Sequence, residues 1–108
     1  MKNLNFGQAI DALKQGKRVS RKGWNGKGMF LFMRTGDTLT FDIVEKDKSL
    51  PQSLKDWAYS KGINEGITEF HFTPYICMKS SDNTIVNGWL ASQTDMLSED
   101  WEIVSNLK

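Results

Sequence analysis

The stretch MFLFMR, residues 29–34, decides how this chain can fold. Successive side chains of a strand point to opposite faces, so residues 29, 31 and 33 share one face and residues 30 and 32 share the other. Both faces are therefore apolar. A strand of this kind lies in the centre of a layered fold or is covered by another subunit. We expect the remaining elements, or a second copy of the chain, to pack around it.

The segment before this strand predicts an amphipathic helix at residues 6–15. Asn5 and Gln8 have the types and spacing of a capping box, in which each side chain satisfies a backbone N–H at the other end of the turn. Apolar residues then recur at helical spacing, and Gly16 stands where a left-handed residue would end the helix.

A second helix is predicted after the strand. Ser49 and Gln52 repeat the capping-box spacing, and Pro51 lies early in the first turn, where its missing N–H does no harm. Trp57 belongs to the apolar stripe of this helix, and Gly62 is the predicted end.

Strand patterns occupy much of the rest of the chain, with a short turn of helix predicted from Ser92. The further strands are predicted at residues 17–22, 38–44, 70–78, 84–86 and 101–104. Pro74 requires an edge or a bulge in its strand because it cannot donate to a ladder. The pattern indicates an α+β fold, a small single domain over residues 1–108 with an antiparallel β-sheet and two helices packed on it.

The amino-acid composition argues against several classes of function. The chain has 108 residues, with 14 basic and 13 acidic side chains, so its net charge is +1. No global field attracts a long polyanion, which argues against DNA or RNA as a partner. The single Cys77 excludes an intrachain disulfide, and His71 alone cannot complete a metal cluster. Neither a signal peptide nor a membrane-length apolar run is present, so we expect a soluble protein of a reducing compartment.

The sequence specifies no catalytic set. Nucleophilic hydrolysis uses Ser, Cys or Thr beside a base, which is most often His. His71 lies between two phenylalanines, and Cys77 lies within an apolar strand. Asp95, Glu99 and Asp100 could place two carboxylates together, but their spacing equally fits a solvated helix end. We expect no enzyme, no cofactor and no metal.

Basic and aromatic residues are interleaved in one segment. Arg18, Arg21 and Lys27 surround Trp24. Arginine forks hold phosphates and aromatic planes hold bases, so this set suits a small nucleotide. The alternative is that the basic residues only solvate a strand. Trp24 likewise either lines a ligand or fills the core.

The turn at residues 26–28, Gly-Lys-Gly, also has two interpretations. Glycines and a lysine can bring backbone N–H groups close to an anion. The full Walker spacing is missing, however, and a tight turn between two strands is the better explanation of the pair.

A second polar cluster follows Trp89. Residues 91–95, Ala-Ser-Gln-Thr-Asp, are small hydrogen-bonding side chains that can bind ribose hydroxyls and base edges, and Phe72 and Tyr75 add aromatic surface. Asp95 would accept hydrogen bonds from a ligand. Its alternative role is to cap a short helix together with Ser92.

The longest motifs resemble those of one family. The segments are NFGQA at residues 5–9, SRKGWNGKGM at 20–29, PYI at 74–76, and WLASQTDML at 89–97 before Glu99-Asp100-Trp101. Together they are similar to the phage-encoded Thoeris anti-defence family, type one. The resemblance covers roughly residues 5–34 and 72–104, whereas residues 36–70 match no pattern of that family.

This resemblance implies a function that composition does not supply. Such proteins act as sponges against Thoeris, a bacterial defence in which a TIR-domain enzyme makes a cyclic ADP-ribose isomer from NAD. They hold this signal without cleaving it, and they assemble as dimers that can build hexamers. Some also bind cyclic di- or trinucleotides of the CBASS defence at a separate site. The implied location is the cytoplasm of the infected bacterium.

The matched segments and the residue chemistry together give a candidate ligand-binding set. Its members are Arg18, Arg21, Trp24, Asn25, Lys27, Met29, Phe72, Tyr75, Met78, Trp89, Ala91, Ser92, Gln93, Thr94 and Asp95. Two rival functions are a hydrolase or lyase that destroys the same signal, and an inhibitor that binds a host protein through exposed aromatic residues.

Overall fold

The MFLFMR stretch forms the middle strand of a five-stranded antiparallel sheet in a computed structural model that describes residues 2–24 and 26–105. The strands are β1 (Val19–Arg21), β2 (Phe30–Arg34), β3 (Asp37–Thr40), β4 (Glu69–Phe72), β5 (Tyr75–Lys79), β6 (Ile85–Val86) and β7 (Trp101–Ile103). The helices are α1 (Phe6–Lys14), α2 (Phe41–Lys46), α3 (Gln52–Glu65) and α4 (Gln93–Leu97). The large sheet has the order β6-β5-β2-β1-β7, and β3 pairs with β4 in a second sheet. The predicted α+β class is confirmed.

The chain divides into two compact units. The sheet unit comprises the described residues of Met1–Thr35 and Pro74–Lys108, and the insert unit is Gly36–Thr73. The large sheet, α1 and α4 belong to the first unit, whereas α2, α3 and the small sheet belong to the second. None of the helices described here is long and apolar enough to cross a membrane.

Helix α1 begins as predicted and covers one face of the large sheet. The backbone N–H of Gln8 donates to Asn5 Oδ1 at 2.8 Å, and the N–H of Asn5 donates to Gln8 Oε1 at 2.9 Å. Ala9 and Leu13 are buried on the helix side that faces the core. The capping box thus fixes where α1 starts, and its apolar side fixes how it packs.

Strand register decides which side chains enter this core. Val19 of β1 pairs with Leu31 of β2, and Leu31 pairs with Met78 of β5. Val19 and Leu31 are fully buried in one cluster with Trp101 of β7. We call this side of the large sheet the core face.

The other side carries the second set of β2 side chains, Phe30 and Phe32, which are both half-buried. Their ring centroids are 6.4 Å apart. Cys77, the register partner of Phe32, is fully buried. We call this side the cationic face because Arg18 and Lys79 lie over the Phe30 ring. Both faces of β2 are therefore apolar, as predicted.

The prediction of a strand over residues 38–44 is wrong in its second half. Strand β3 ends at Thr40, and α2 occupies Phe41–Lys46. Alternation of Leu39, Phe41 and Ile43 favoured a strand, but the helix buries Val44, three residues after Phe41, and leaves Ile43 half-exposed. Helical packing of that position overrides the alternating pattern.

Helix α3 begins and ends later than predicted. Ser49 does not cap it, because the Ser49 hydroxyl donates to Asp47 Oδ1 and Pro51 is the N-cap without a side-chain hydrogen bond. The helix runs through Gly62 and ends at Gly66, which has a φ of 69°. A left-handed residue suits glycine, so Gly66 is the stop signal.

The predicted strand over residues 70–78 is interrupted before Pro74. Strand β4 ends at Phe72 and pairs with β3, and β5 begins at Tyr75 and pairs with β2. Proline lacks the donor that a continuous ladder needs, so the break occurs there. The strands around residues 84–86 and 101–104 and the short helix after Ser92 are confirmed. The described residues contain four helices, where two helices and the short helical turn after Ser92 were predicted, and α2 is the addition.

Candidate ligand-binding site

An arginine held by two carboxylates lies where the two longest motifs meet. Arg21 Nε donates to Asp100 Oδ1 at 2.9 Å, and its Nη1 donates to Asp95 Oδ1 at 2.8 Å. The side chains of Arg21 and Asp95 are 12% and 13% exposed. The guanidinium fork of Arg21 is thus engaged within the protein, and its phosphate-binding role stays a prediction.

Asp95 is the hub of this cluster. Its backbone N–H donates to Ser92 Oγ at 3.0 Å, and its Oδ2 accepts from the Ser92 N–H at 3.1 Å, which is a capping box for α4. Its Oδ1 accepts from Trp24 Nε1 at 3.3 Å, and its carbonyl accepts from Trp101 Nε1 at 2.9 Å. The capping role proposed as the alternative is therefore present.

Three tryptophans pack around the hub. Trp24 meets Trp101 edge-on with ring centroids 5.4 Å apart, and Trp89 lies 6.4 Å from Trp24 and 6.2 Å from Trp101. Trp101 is fully buried, and the other two are half-buried against the same core. Edge-to-face aromatic pairs stabilise a core beyond their area. Trp24 and Trp89 are thus held by packing within the sheet unit.

The hydrogen bonds of the cluster favour its charged forms. The hydrogen bond from Arg21 lowers the pKa of Asp100, and that same bond raises the pKa of Arg21. Burial acts to raise the pKa of Asp95, but hydrogen bonds from Arg21, Ser92 and Trp24 outweigh it, so its pKa is lowered. All three groups are therefore ionised at neutral pH.

The cationic face presents a different arrangement. The guanidinium carbon of Arg18 lies 4.9 Å from the centroid of the Phe30 ring, and Lys79 Nζ lies 5.8 Å from the same centroid. Arg18 Nη2 donates to the Ser105 carbonyl at 3.0 Å, and Lys79 Nζ donates to the Gly28 carbonyl at 3.1 Å. Two cations on one aromatic ring form a surface that suits a flat anion.

A cavity of about 410 Å³ opens beside this ring. It is lined by Lys2, Ser20, Gly28, Met29, Phe30, Glu102, Ile103, Val104 and Ser105. Its volume lies within the range of small-molecule sites, roughly 300–1,000 Å³. The wall combines cationic, anionic, hydroxyl and aromatic groups, so it can meet a ligand that carries several kinds of polar group.

Backbone conformation and close packing explain why glycine occupies positions 26 and 28 of the Gly-Lys-Gly turn. Gly28 has a φ of 72°, which L side chains rarely adopt. A Cβ at Gly26 would overlap Met29 Sδ. The turn interpretation therefore explains both positions, and Met29 is placed at the cavity by this close approach.

The structure distributes the other predicted residues widely. Met78 packs on the core face, and Tyr75 lies on β5 with the Arg34 guanidinium 5.5 Å from its ring centroid. Phe72 belongs to the insert unit. Asn25 lies outside the described residues.

The polar residues of WLASQTDML surround α4. Ser92, Gln93 and Thr94 are exposed and Ala91 is half-buried, while Lys27 is exposed on its own turn. The structure thus gathers Arg21, Trp24, Trp89, Ser92 and Asp95 into one cluster, and it places Arg18 on the cationic face and Met29 in the wall of the cavity. A binding role for any of them stays a prediction.

Sequence reasoning missed several residues of the cavity. Phe30 and Ser20, which line the cavity, and Lys79, which lies over the Phe30 ring beside it, were not proposed as ligand contacts. Antiparallel pairing sets Phe30 opposite Lys79, so the register of β2 with β5 is the signal that would have found them. For Asp100 the alternatives were a carboxylate pair and a solvated helix end, and in the structure it accepts from Arg21 and from the backbone N–H of Gly23.

His71 and Cys77, the residues considered for metal and nucleophile chemistry, each have a hydrogen-bond partner in the part of the chain that the structure describes. No group of three or more His, Cys, Asp or Glu residues there could hold a metal ion. His71 Nδ1 lies 2.7 Å from Thr38 Oγ1 within the insert unit. The buried Cys77 thiol donates to Asn87 Oδ1 at 3.7 Å.

Replacing the shared arginine should destabilise the fold. Arg21→Ala leaves two carboxylates without their partner, and we expect the free energy of unfolding to fall by about 3 kcal/mol. Urea denaturation followed by tryptophan fluorescence measures this loss. Lys22→Ala, at an exposed neighbour, is the control and should change stability by less than about 0.5 kcal/mol. Equal stability of both variants would contradict the role of Arg21.

The same cluster predicts acid sensitivity. The pKa values of Asp95 and Asp100 are lowered in the folded state, so the unfolded chain takes up protons first as the pH falls. Their contribution is complete above the unfolded pKa of about 4 and is lost as pH falls through the folded values. The urea midpoint should therefore drop between about pH 5 and 3. Asp100→Asn should show a smaller drop, and an identical pH profile would refute this assignment.

Comparison with known proteins agrees with the motif resemblance. Residues 4–104 match the Thoeris anti-defense 2-like domain. The chain is also 42% identical, over 102 residues, to Thoeris anti-defense 2 of Bacillus phage SP01, an alignment that covers 94% of this chain and 96% of that protein.

These matches refine the expectation in two respects. The relationship to Thoeris anti-defence proteins is confirmed, but both matches name the second type, not the first. The family match also runs through residues 36–70, for which no family pattern was expected. The chain belongs to the Thoeris anti-defense 2-like family.

Proposed function

We propose that this protein is a phage anti-defence sponge that acts in the cytoplasm of the infected bacterium. It binds the TIR-produced cyclic ADP-ribose isomer of Thoeris and sequesters it without cleavage. Membership in the anti-defence family over residues 4–104 supports the anti-defence role. The observation that carries the choice of ligand is the Phe30 ring with Arg18 and Lys79 over it, beside a cavity of about 410 Å³.

The chemistry of the ligand matches this wall. A cyclic ADP-ribose isomer carries two phosphates, two riboses and an adenine. Arg18 and Lys79 lie over the Phe30 ring and supply charge for the phosphates, and Met29 with the edge of the Phe30 ring supplies apolar cavity wall against which the base can lie. Ser20 and Glu102, which are register partners across β1 and β7, can bind ribose hydroxyls. Glu102 also repels phosphate, so it helps to set the orientation of the ligand.

Affinity arithmetic requires an enclosed site. Nanomolar binding needs about −12 kcal/mol. One stacked base contributes ~1–3 kcal/mol, and each hydrogen bond to a charged group about 1.5–3 kcal/mol, before the cost of association. The contacts that a single wall can make do not supply this binding free energy once the cost of association is subtracted. We therefore include self-association, as a dimer or hexamer, in the proposal, with a second copy closing the cleft over the half-buried Phe30 and Phe32.

Binding without cleavage is supported by the state of the carboxylates. Hydrolysis of a glycosidic bond uses a carboxylic acid whose pKa is raised so that it can donate a proton. Asp95 and Asp100 share Arg21, and their pKa values are lowered. A carboxylate held in this way is a poor general acid at neutral pH.

A protein-binding inhibitor is the second candidate because of one surface feature. Leu90, Met96 and Leu97 expose 92%, 44% and 79% of their areas around α4. Exposed apolar residues that lie together are typical of protein contacts. This function predicts co-purification of a host protein and no need for the nucleotide.

Sequestration is tested by recovery of the ligand. The protein is saturated with the cyclic ADP-ribose isomer, freed of excess ligand and heated until it denatures, and the supernatant is analysed by mass spectrometry. Intact nucleotide in a fixed ratio to binding sites is expected. Linear ADP-ribose in excess of the number of sites would establish turnover and overturn the sponge. The same assay with a cyclic di- or trinucleotide tests CBASS signals as further ligands.

The cationic face is tested by two substitutions. Arg18→Ala and Lys79→Ala each remove a charged contact, so we expect the affinity for the cyclic ADP-ribose isomer to fall at least about tenfold, which is about 1.4 kcal/mol. Calorimetric titration measures the change. Lys14→Ala, in the last turn of α1, is the matched control and should bind like the parent protein. Unchanged affinity in both face variants would remove the cationic face from the site.

A further inference from the structure

The insert unit contains an apolar cavity that the proposed function does not use. It measures about 270 Å³ and is lined by Val44, Leu54, Trp57, Ala58, Phe70, His71 and Phe72. All of these residues belong to Gly36–Thr73. The lining residues include no Asp, Glu, Lys or Arg. We propose that this cavity binds a neutral aromatic molecule of one or two fused rings.

The walls of the cavity are aromatic on two elements. Trp57 of α3 and Phe70 of β4 are in contact, with ring centroids 5.5 Å apart and planes at 55°. Phe72 lies on the same face of β4 as Phe70, because residues two apart in a strand point the same way. Tilted rings of this kind leave both edges and faces for a further flat ring.

The floor is fixed by well-packed residues. Val44 of α2 and Ala58 of α3 are 1% and 2% exposed, and the hydrogen bond between Thr38 and His71 ties β3 to β4. The cavity is therefore part of the packed unit, and it does not arise from a loose loop. Its size exceeds that of an engineered apolar cavity of about 150 Å³ that binds benzene, so a two-ring molecule fits.

Charge favours a neutral ligand. Lys61 Nζ lies 5.9 Å from the Trp57 ring centroid, and it pairs with Glu65 one turn further along α3. The charges of Lys61 and Glu65 therefore neutralise each other beside the cavity. An anionic or cationic ligand would lose hydration inside without gaining an opposite charge from the walls.

The surroundings favour a small molecule over a protein segment. Trp57 is 47% exposed, and the charged Lys61 lies beside its ring. The exposed apolar residues Tyr59 and Ile63 lie more than a quarter turn away on α3, since each residue advances the helix by about 100°. An apolar protein surface would need a continuous patch, and on α3 the exposed residues Tyr59 and Ile63 do not extend the exposed part of Trp57 into one.

The experiment titrates ¹⁵N-labelled full-length protein with indole and follows the backbone amides by NMR. Saturable shifts confined to residues near 44, 54–58 and 70–72 are expected. Indole-3-acetate should bind at least about tenfold more weakly because its carboxylate loses hydration, and the nearest polar groups, His71 and Lys61, are already engaged with Thr38 and Glu65. Shifts that never saturate, or equal binding of both probes, would overturn the site.

Variants separate the cavity from the rest of α3. Ala58→Leu fills the cavity and should weaken indole binding at least about tenfold. Trp57→Leu, at a half-exposed position that tolerates change, keeps the fold and should weaken it about fivefold through loss of the ring. Ile63→Ala, on the other side of the helix, is the control and should bind within about twofold of the parent.

Two outcomes decide against a small-molecule site. Tighter binding of a tryptophan-containing tripeptide than of indole would assign the cavity to a protein partner. Equal indole affinity in folded Trp57→Leu and the parent would show that the cavity is not the binding place. The proposal does not depend on the sponge function, because neither indole nor these variants involve the cationic face.

Discussion

The ion pair of Arg21 with Asp95 and Asp100 is the interaction on which the sheet unit depends. It connects β1 to α4 and to the residue before β7, and each carboxylate also accepts a backbone N–H. The tryptophan cluster packs around the same point through indole donors to Asp95. A buried charge without a partner is costly. These contacts therefore depend on one another, because the loss of one charged group leaves its partner buried without a counter-charge. The two longest motifs of the sequence, at residues 20–29 and 89–97, therefore have a structural role, because this ion pair holds them together.

Two arginines three residues apart thus have different surroundings. Arg21 lies on the core face between carboxylates, whereas Arg18 lies over the Phe30 ring on the opposite face. Alternation along the strand separates them, since positions that differ by an odd number point to opposite sides. A phosphate at Arg21 would compete with two preformed ion pairs. On the cationic face, Arg18 and Lys79 bring two cations to one aromatic ring, and this face is the one that we propose for the anion.

Local signals predicted much of this fold. Helix α1 followed from Asn5 and Gln8, and the central strand from the apolar residues at 29–33, because capping and alternation are properties of neighbouring residues. The strand predicted through residue 44 failed because Val44 is buried near residues of α3 and β4, which the local alternation of side chains does not reveal. The candidate site was harder to predict than the fold, because its contacts join residues that are far apart in the sequence. Residue type suggested that Arg21 binds phosphate, but only the fold shows that Asp95 and Asp100 already occupy it.

Enclosure then links the proposed binding to the proposed self-association. Phe30 and Phe32 leave an apolar surface on the cationic face, and the cavity beside Phe30 is open on that side. A second copy that covers these rings would remove apolar area from water and would also complete the wall around a ligand. A ligand bound in such a shared cleft stabilises the assembled form by mass action. The same apolar strand that organises the sheet would in this way set both the oligomer and the affinity of the sponge.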